Sequence, residues 1–382
     1  MNVLYIINST EWIHPLIRDE ILFFIKHDIN IHIYIINSGE NDRDNLDIEN
    51  VIIINNHLQA TKILNKIRYT INLLFHIKYL KFVGASTIKS LGKVFSYIKT
   101  QRINIIKNHF INNASIQACF LAKITGITLF VTGHNTDLLS RTDKELKHII
   151  RESSYFHTIS KTNQKYLQNR FPFLASKIHY HYIGISIYSK FKYKYKKIKY
   201  PIRLISVGWP IPAKGYEYLI KACDFLNRSD VKFICKIVGG NDSGSEKKEL
   251  IRLVDFYHLS DKVILTKRLE HQAVLEELQN SDIYIQSSIS EGIPVSLLEA
   301  MSYSLPIITT NLPGICEFME NDRSAVIVPE KNPSAIAAAV QKIFASESLQ
   351  RRISKEAYKI VTTLFDQNQN MMKIFSIIKS VK

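Results

Sequence analysis

The chain has 382 residues, of which 46% are hydrophobic, so it is too long for one ordinary core and suits two domains with buried sheets. No uninterrupted apolar stretch reaches the roughly 18 residues of a membrane-spanning helix, and the first residues lack a signal-peptide pattern, so we expect a cytoplasmic protein. The net charge is +16, and the four cysteines lack the spacing of zinc ligands or of a disulfide framework.

Short β-rich runs alternate with helix-length segments in the first half of the chain. The predicted strands are Val3–Ile7, Ile31–Ile36, Val51–Ile54, Ile103–Ile106 and Thr128–Val131. This alternation is typical of βαβ units and predicts an α/β domain with a parallel sheet. Ligands of such sheets bind at the carboxyl ends of the strands.

Acidic side chains follow the first two predicted strands. Glu11 lies in the loop Thr10-Glu11-Trp12-Ile13. Asp42 and Asp44 have the spacing of a metal-binding Asp-x-Asp pair, but the surrounding loop is strongly acidic. A solvated loop is the simpler interpretation, and we expect no metal site.

The positive charge is concentrated between residues 51 and 200, which hold 25 Lys and Arg against 4 Asp and Glu, whereas residues 201–382 hold 22 against 21. Lysines alternate with apolar side chains over residues 61–102. These lysines include Lys78, Lys81, Lys89 and Lys93. The pattern fits either helices with a basic outer face or basic amphipathic helices on an anionic membrane. We favour the membrane because residues 51–100 contain no acid, and no recognition motif supports nucleic acid.

The loop Thr132-Gly133-His134-Asn135-Thr136-Asp137 follows the fifth predicted strand. His134 is a candidate for orienting the hydroxyls of a ligand, although a single histidine at a strand end is more often structural. Asp137 could contribute to the same site or cap the next helix.

A low-complexity segment rich in Lys and Tyr separates the two halves, and we interpret residues 191–200 as a basic, solvated linker. The predicted strands of the second half are Ile202–Val207, Phe233–Val238, Val263–Leu265, Ile283–Ile285, Ile307–Thr309 and Ala325–Val328. We therefore predict an N-terminal domain over 1–190 and a C-terminal domain over 201–356. Residues 357–382 are predicted to form a closing helix with an apolar stripe.

The stretch Ser290-Glu291-Gly292-Ile293-Pro294-Val295-Ser296-Leu297-Leu298-Glu299 is the most informative part of the chain. It predicts a strand, a glycine-containing loop and a helix that has Pro294 as its first residue. The N–H groups at such a helix start suit a phosphate, and the two carboxylates could hold sugar hydroxyls on either side of it. The alternative is a surface helix with solvated glutamates.

With the strand Leu305–Thr310 and the loop Asn311–Glu317 that follow, this region resembles the donor half of glycosyltransferase family 4. That family consists of retaining enzymes with the GT-B fold. The resemblance implies two facing, doubly wound Rossmann-like domains with a cleft between them, and a closing helix that returns to the first domain. It covers residues 202–345 strongly and residues 1–190 in part.

The resemblance also implies roles for individual residues. Glu299 would hold the donor ribose, Glu291 would position the donor sugar, and Lys214 would neutralise the diphosphate. The implied donor-binding residues are Gly208, Lys214, Gly239, Arg268, Gly292, Ile293, Pro294, Val295 and Glu299. Trp209 replaces the family's arginine, either packing or stacking on the donor, and Arg268 could supply the missing charge or be a plain surface residue. Lys214 could also be a simple turn lysine.

In the first domain, the implied site residues are His134 near the transferred sugar and, on the acceptor side, Glu11 and Asp137. The implied function is transfer of a sugar from a nucleotide diphosphate sugar to a glycan or lipid-linked glycan in surface polysaccharide synthesis. We expect no cofactor, no metal, and a peripheral location on the cytoplasmic face of the inner membrane. The alternatives are a sugar-nucleotide epimerase and a non-catalytic partner of the same fold. Trp209 in place of the family's arginine keeps the second alternative open.

Overall fold

The computed structural model describes residues 1–8, 15–36, 51–54, 85–186, 193–240 and 244–380. The chain separates into two compact units. Unit 1 contains residues 1–182 and 371–382, and unit 2 contains residues 183–370.

The described part of unit 1 contains a parallel sheet in the order β3-β2-β1-β4-β5-β6-β7. Its strands are β1 (Asn2–Ile7), β2 (Asn30–Ile35), β3 (Val51–Ile54), β4 (Ile105–His109), β5 (Thr128–Gly133), β6 (Tyr155–Thr158) and β7 (Ile178–Tyr180). Its helices are α1 (Pro15–Lys26), α2 (Ala85–Thr100), α3 (Asn113–Thr125), α4 (Thr136–Leu139), α5 (Asp143–Glu152) and α6 (Lys161–Arg170), followed by a 3-10 turn (Pro172–Lys177). Apolar clusters lie on both faces of the sheet, so it is buried on both sides, as is usual for a parallel sheet.

Unit 2 repeats this plan with six described strands in the order β10-β9-β8-β11-β12-β13. The strands are β8 (Ile202–Val207), β9 (Phe233–Val238), β10 (Val263–Leu265), β11 (Ile283–Gln286), β12 (Ile307–Thr310) and β13 (Val326–Val328). The helices are α7 (Tyr216–Arg228), α8 (Ser245–Phe256), α9 (His271–Gln279), α10 (Val295–Ser302), α11 (Pro313–Cys316), α12 (Pro333–Ala345) and α13 (Glu347–Leu364). In each sheet the first three strands form one half, and the chain then returns to the centre and adds the remaining strands on the other side. This order marks a switch point between β1 and β4 and another between β8 and β11.

The α/β prediction is confirmed, and every strand predicted from the sequence is present with small shifts at the ends. The prediction missed β6 and β7. Both are short, and their sequences, Tyr-Phe-His-Thr and Ile-His-Tyr, mix apolar and titratable side chains.

The interpretation of the Lys- and Tyr-rich segment as a solvated linker is wrong for residues 193–200. Ile198 is buried, and the hydroxyls of Tyr193 and Tyr195 bond to Ser354 and Gln350 of α13. The aromatic side chains therefore attach the segment to unit 2. The lysines between these aromatic residues are exposed, so the lysine side of the segment is solvated.

The closing segment is not the single helix that the sequence predicted over 357–382. The helix α13 ends at Leu364, and a separate helix, α14 (Gln367–Ser380), follows it. The break lies at Phe365, which is fully buried, and at Asp366, whose carboxylate accepts a hydrogen bond from the N–H of Gln369. The end of α14 belongs to unit 1, where Phe375 packs against Phe23 and Phe24.

Candidate functional site

The loops that follow β8 and β11 meet at the switch point of the unit 2 sheet. Lys214 lies in the first loop and Glu291 in the second. Their side chains form an ion pair, with Lys214 Nζ 2.7 Å from Glu291 Oε1. The lysine side chain is 18% exposed and the glutamate 14% exposed, so little water screens the pair. The two residues singled out for phosphate and sugar binding are therefore in direct contact.

Hydroxyl and amide groups on β11 and on the loop that follows it fix the Glu291 carboxylate. Its Oε1 also accepts hydrogen bonds from Gln286 Nε2 at 3.1 Å and from Ser288 Oγ at 2.9 Å. The hydroxyl of Tyr284 donates to Gln286 Oε1, and burial raises the pKa of that phenol well above its usual value, so Tyr284 stays a neutral donor. Sequence reasoning missed this network. Its only signal was a glutamine and two serines at the end of a buried strand.

The backbone of the Lys214 loop lies against the Ser287 backbone. Gly215 has a positive φ of 61°, and a Cβ there would lie 2.2 Å from the carbonyl oxygen of Ser287. Ile289 N–H donates to the carbonyl of Ala213 at 2.8 Å, and Ser287 Oγ donates to the carbonyl of Lys214 at 2.9 Å. Only glycine combines this conformation with this approach, so the sequence Lys-Gly sets the position of the lysine.

Two of the three glycines predicted for the site, Gly208 and Gly239, lie against each other, and Gly208 also lies against the Lys214 side chain. A Cβ on Gly208 would lie 3.0 Å from Lys214 Cε, and a Cβ on Gly239 would lie 2.8 Å from the carbonyl oxygen of Gly208. The hydroxyl of Tyr216 donates to that same carbonyl at 3.1 Å. A side chain at position 208 would therefore crowd Lys214 and Tyr216, and one at position 239 would collide with the Gly208 backbone.

The start of α10 differs by one residue from the prediction. Pro294 is the N-cap, with φ −71° and ψ 119°, and Val295 is the first helical residue. Gly292 and the buried Ile293 precede it, and Ser296 Oγ donates to the carbonyl of Val207 at the end of β8. The first-turn N–H groups of α10 thus begin beside the Lys214 loop.

Glu299, the second predicted carboxylate, is the fifth residue of α10. Its side chain is 12% exposed, and Oε1 lies 2.7 Å from Nε2 of His271, the first residue of α9. His271 is 66% exposed and was not singled out in the sequence. No local pattern could have found it, because the contact joins residues 28 positions apart.

Gly314, near the start of α11, packs closely against the turn that follows Glu291. A Cβ on Gly314 would lie 2.4 Å from the carbonyl oxygen of Gly292. Trp209, at the place of the family's arginine, is 47% exposed. Arg268 is exposed in the segment between β10 and α9. A role for Arg268 toward the diphosphate stays a prediction.

In unit 1, His134 lies at the carboxyl end of β5 and is mostly buried. Its ring stacks on Phe110 with 3.9 Å between the ring centroids. Asp137 holds the loop by accepting hydrogen bonds from the N–H groups of His134, Asn135 and Ile111. Both of its oxygens are used in this way, so Asp137 fixes the backbone of this loop, and its acceptor-side role stays a prediction.

A buried charged cluster lies on the same sheet. Lys107 Nζ is 2.7 Å and His109 Nε2 is 3.0 Å from Glu20 Oε1, and the hydroxyl of Tyr5 donates to the same oxygen. Burial alone would raise the pKa of Glu20, but Lys107 and His109 hold that pKa well below its usual value. Burial and the positive charge of Lys107 lower the pKa of the nearby His157. Sequence reasoning missed this cluster, because its members come from separate strands and a helix.

Glu11, Asp42 and Asp44 lie outside the described residues. Among the residues that are described, no group of three or more His, Cys, Asp or Glu side chains is placed to hold a metal ion. None of the described helices is both long and apolar enough to cross a bilayer.

A comparison with protein families finds a match, which lies in unit 2. Residues 189–360 match the model described as glycosyl transferases group 1. The match covers fewer than half of the 382 residues. Lys214, Glu291 and Glu299 all lie within it.

Curated proteins similar to this chain are glycosyltransferases by name. The chain is 33% identical over 143 residues to WcaL of Escherichia coli K12, named as a colanic acid biosynthesis glycosyltransferase, a match that covers 36% of this chain and 34% of that protein. It is 30% identical over 201 residues to the amylovoran biosynthesis glycosyltransferase AmsK of Erwinia amylovora. This match covers 51% of this chain and 48% of that protein. The chain thus spans less than half the length of these relatives.

Solved structures support the fold along the whole chain. A glycosyltransferase from Rickettsia africae has a TM-score of 0.75 and 16% identity, covering 100% of this chain and 98% of its own. HepE from Anabaena, solved in complex with UDP, has a TM-score of 0.75 and 14% identity, with both chains covered in full. The chain has the GT-B fold, with two Rossmann-like parallel-sheet units, as the sequence predicted.

Proposed function

We propose that the protein is a retaining glycosyltransferase of surface polysaccharide synthesis that transfers a sugar from a nucleoside diphosphate sugar to a hydroxyl of a glycan. The observation that carries the proposal is the contact of Lys214 with Glu291 at the switch point, next to the start of α10. A cation, a helix start and a fixed carboxylate are the groups that a sugar diphosphate requires.

The Lys214 ammonium and the first-turn N–H groups of α10 would bind the donor diphosphate and stabilise its charge as it leaves. Glu291, fixed by Gln286 and Ser288, would accept hydrogen bonds from hydroxyls of the donor sugar. Glu299, about one turn from the helix start, would accept from the ribose hydroxyls. The glycines at 208 and 239 would let the donor approach the backbone.

Retention follows from attack on the face that the diphosphate leaves. The bond between the anomeric carbon and the phosphate oxygen breaks, the acceptor oxygen forms a new bond to that carbon, and the acceptor proton passes to the leaving phosphate oxygen. His134 in unit 1 would orient a sugar hydroxyl, since Asp137 and Phe110 hold its backbone and ring. No residue need act as a nucleophile in this scheme, and we propose that no metal or other cofactor is needed.

The relatives support the donor and the pathway. Relatives are named for colanic acid and amylovoran biosynthesis, and HepE, a fold neighbour, has been solved with UDP and with UDP-glucose. We propose a glycan acceptor that is carried on a lipid, because the basic residues 51–200 would draw both anionic lipids and the phosphates of such an acceptor.

The donor assignment is tested by two glutamine substitutions and a matched control. Glu299→Gln should weaken donor binding, because it removes the charge that the ribose hydroxyls bond to, and Glu291→Gln should slow transfer more than it weakens binding. Glu330→Gln, on an exposed residue of the same unit, should leave both unchanged. Donor binding and transfer would be measured separately, and wild-type values in both site variants would refute the assignment.

The membrane assignment is tested by vesicle flotation. The protein should bind vesicles that contain phosphatidylglycerol, bind neutral vesicles weakly, and dissociate as salt shortens the Debye length. Replacing Lys78, Lys81, Lys89 and Lys93 with Gln should reduce docking and leave donor binding intact. Of these, Lys78 and Lys81 lie outside the described residues. Equal binding to neutral and anionic vesicles, or binding to neither, would contradict a peripheral location at the cytoplasmic face of the inner membrane.

A further inference from the structure

The contact between His271 and Glu299 joins two helices at the carboxyl edge of the unit 2 sheet. The carboxylate is 12% exposed, whereas the imidazole is 66% exposed and reaches it from the start of α9. An exposed ion pair contributes little to stability, with typical values of about 0 to 1 kcal/mol, so stability alone is a weak reason for this geometry.

The segment that leads to His271 is fixed by buried contacts. Lys247, 6% exposed, donates to the carbonyl of Thr266 at 2.8 Å. Thr266 N–H donates to the carbonyl of Ile237, and its hydroxyl accepts from the N–H of Gly239 at 3.2 Å. The chain thus enters α9 from a position tied to β9 and to one of the glycines at the donor site.

The chemistry of ribose binding gives this contact a purpose. A glutamate side chain has three rotatable bonds, and a carboxylate that accepts from two neighbouring hydroxyls must be turned so that its oxygens face both of them. A hydrogen bond from an imidazole N–H to one oxygen restricts that rotation and leaves lone pairs on both oxygens. The restriction exists before the donor arrives, so less order remains to be imposed on binding.

We propose that His271 is a positioning residue of the donor site, which holds the Glu299 carboxylate in the orientation that accepts hydrogen bonds from the ribose hydroxyls. The inference rests on the proposed function, because it assumes that Glu299 contacts ribose. It adds a residue from α9 to a site otherwise built from the β8 and β11 loops and α10.

The test is nucleotide binding by titration calorimetry. UDP, GDP, ADP and CDP are titrated into the wild-type protein, and the tightest is then compared with its 2′-deoxy form in each variant. His271→Ala should weaken the ribonucleotide roughly 5- to 10-fold, as expected for a lost hydrogen bond to a charged group. The 2′-deoxy form should lose less than about 2-fold, because one of the hydroxyls that the orientation serves is absent.

Three further variants separate positioning from a structural role. Gln272→Ala changes the next residue, which is exposed, and should bind like wild type. His271→Gln should restore most of the affinity, because its amide nitrogen extends about as far as Nε2, whereas the shorter His271→Asn should not. In the background of Glu299→Gln, His271→Ala should have little further effect.

Two results would overturn the inference alone: wild-type affinity in His271→Ala, or equal losses for the ribo and deoxy forms. If no nucleoside diphosphate bound the wild-type protein, the proposed function would fail and the inference with it. The two failures are therefore distinguishable by the wild-type titration.

Discussion

Gly215→Ala tests whether the backbone contact behind Lys214 builds the donor site. At this position φ is 61°, and the added Cβ would lie 2.2 Å from the Ser287 carbonyl oxygen. A left-handed conformation costs an alanine about 1 to 2 kcal/mol. Relief of the overlap requires backbone movement, which costs about 1 to 3 kcal/mol more. The two effects together destabilise unit 2 by about 2 to 5 kcal/mol.

The chain offers a matched control at Gly126, which ends α3 with a φ of 72° and where an added Cβ would meet no atom within 4 Å. Gly126→Ala should therefore show only the conformational cost of about 1 to 2 kcal/mol. For units of this size, 1 kcal/mol lowers the melting temperature by about 2 to 4 °C. We expect a fall of about 6 to 12 °C for Gly215→Ala at a central 3 kcal/mol, and about one third to two thirds of that for Gly126→Ala.

The assay is thermal unfolding followed by circular dichroism, together with nucleotide binding to the folded variants. Gly215→Ala should also weaken nucleotide binding, since Lys214 is its neighbour, whereas Gly126→Ala should bind normally. Equal melting temperatures for the two variants would refute the argument from close approach. Normal nucleotide binding by Gly215→Ala would refute the link from this loop to the site.

Three further expectations follow from the structure. Stability should fall as the pH is lowered from 7.5 to 5. Burial first, and then nearby positive charge, lower the folded pKa of His157 well below its usual value and that of His181 to about 4, while unfolded histidines titrate near 6.5. Thermal melts at several pH values check this, and His181→Gln should make the stability depend less steeply on pH. The depressed pKa of Glu20 acts in the same direction at lower pH, since the stability it contributes is lost as the pH falls through its folded pKa. Lys107→Met should destabilise the protein by about 3 to 5 kcal/mol in chemical denaturation, because it leaves the buried Glu20 with only His109 and Tyr5 as partners. Adding Glu20→Gln to this variant should recover part of the lost stability. If the free-energy losses of the two single variants simply added in the double variant, this coupling would be contradicted. Transfer should survive chelation by EDTA, because Lys214 and the start of α10 supply the positive charge at the diphosphate, and a loss of activity that Mg²⁺ or Mn²⁺ restores would contradict this.

The fold was largely predictable because it is specified by local patterns. Strands such as Ile202–Val207 and Phe233–Val238 are apolar runs bounded by polar or turn residues, and their bounds were predicted without error. Residues 193–200 show the limit of this reasoning. Their lysines indicated a solvated linker, but Tyr193, Tyr195 and Ile198 pack on unit 2, a contact that composition does not specify.

The candidate site was predictable where a motif carries it and not where contacts join distant residues. Glu291, Glu299 and Lys214 were named from their loops and helix. The pairing of Lys214 with Glu291, 77 positions apart, depends on which strands are neighbours, and so does the contact of His271 with Glu299. Asp137 was named for its place three residues after His134, but its contact with the backbone of Ile111 joins two separate loops and could not be read from the motif.

Binding of a nucleoside diphosphate sugar tests the central claim most directly. Thermal unfolding would be followed with a panel of UDP-, GDP-, ADP- and CDP-sugars, for the wild-type protein and for Lys214→Ala. A donor at about 100 times its Kd stabilises a protein by about 2.7 kcal/mol, which is a shift of several degrees. We predict such a shift for at least one sugar nucleotide with the wild-type protein and a much smaller one with Lys214→Ala. If no sugar nucleotide stabilised the wild-type protein, or if Lys214→Ala were stabilised equally, the assignment of this site to the donor would be contradicted.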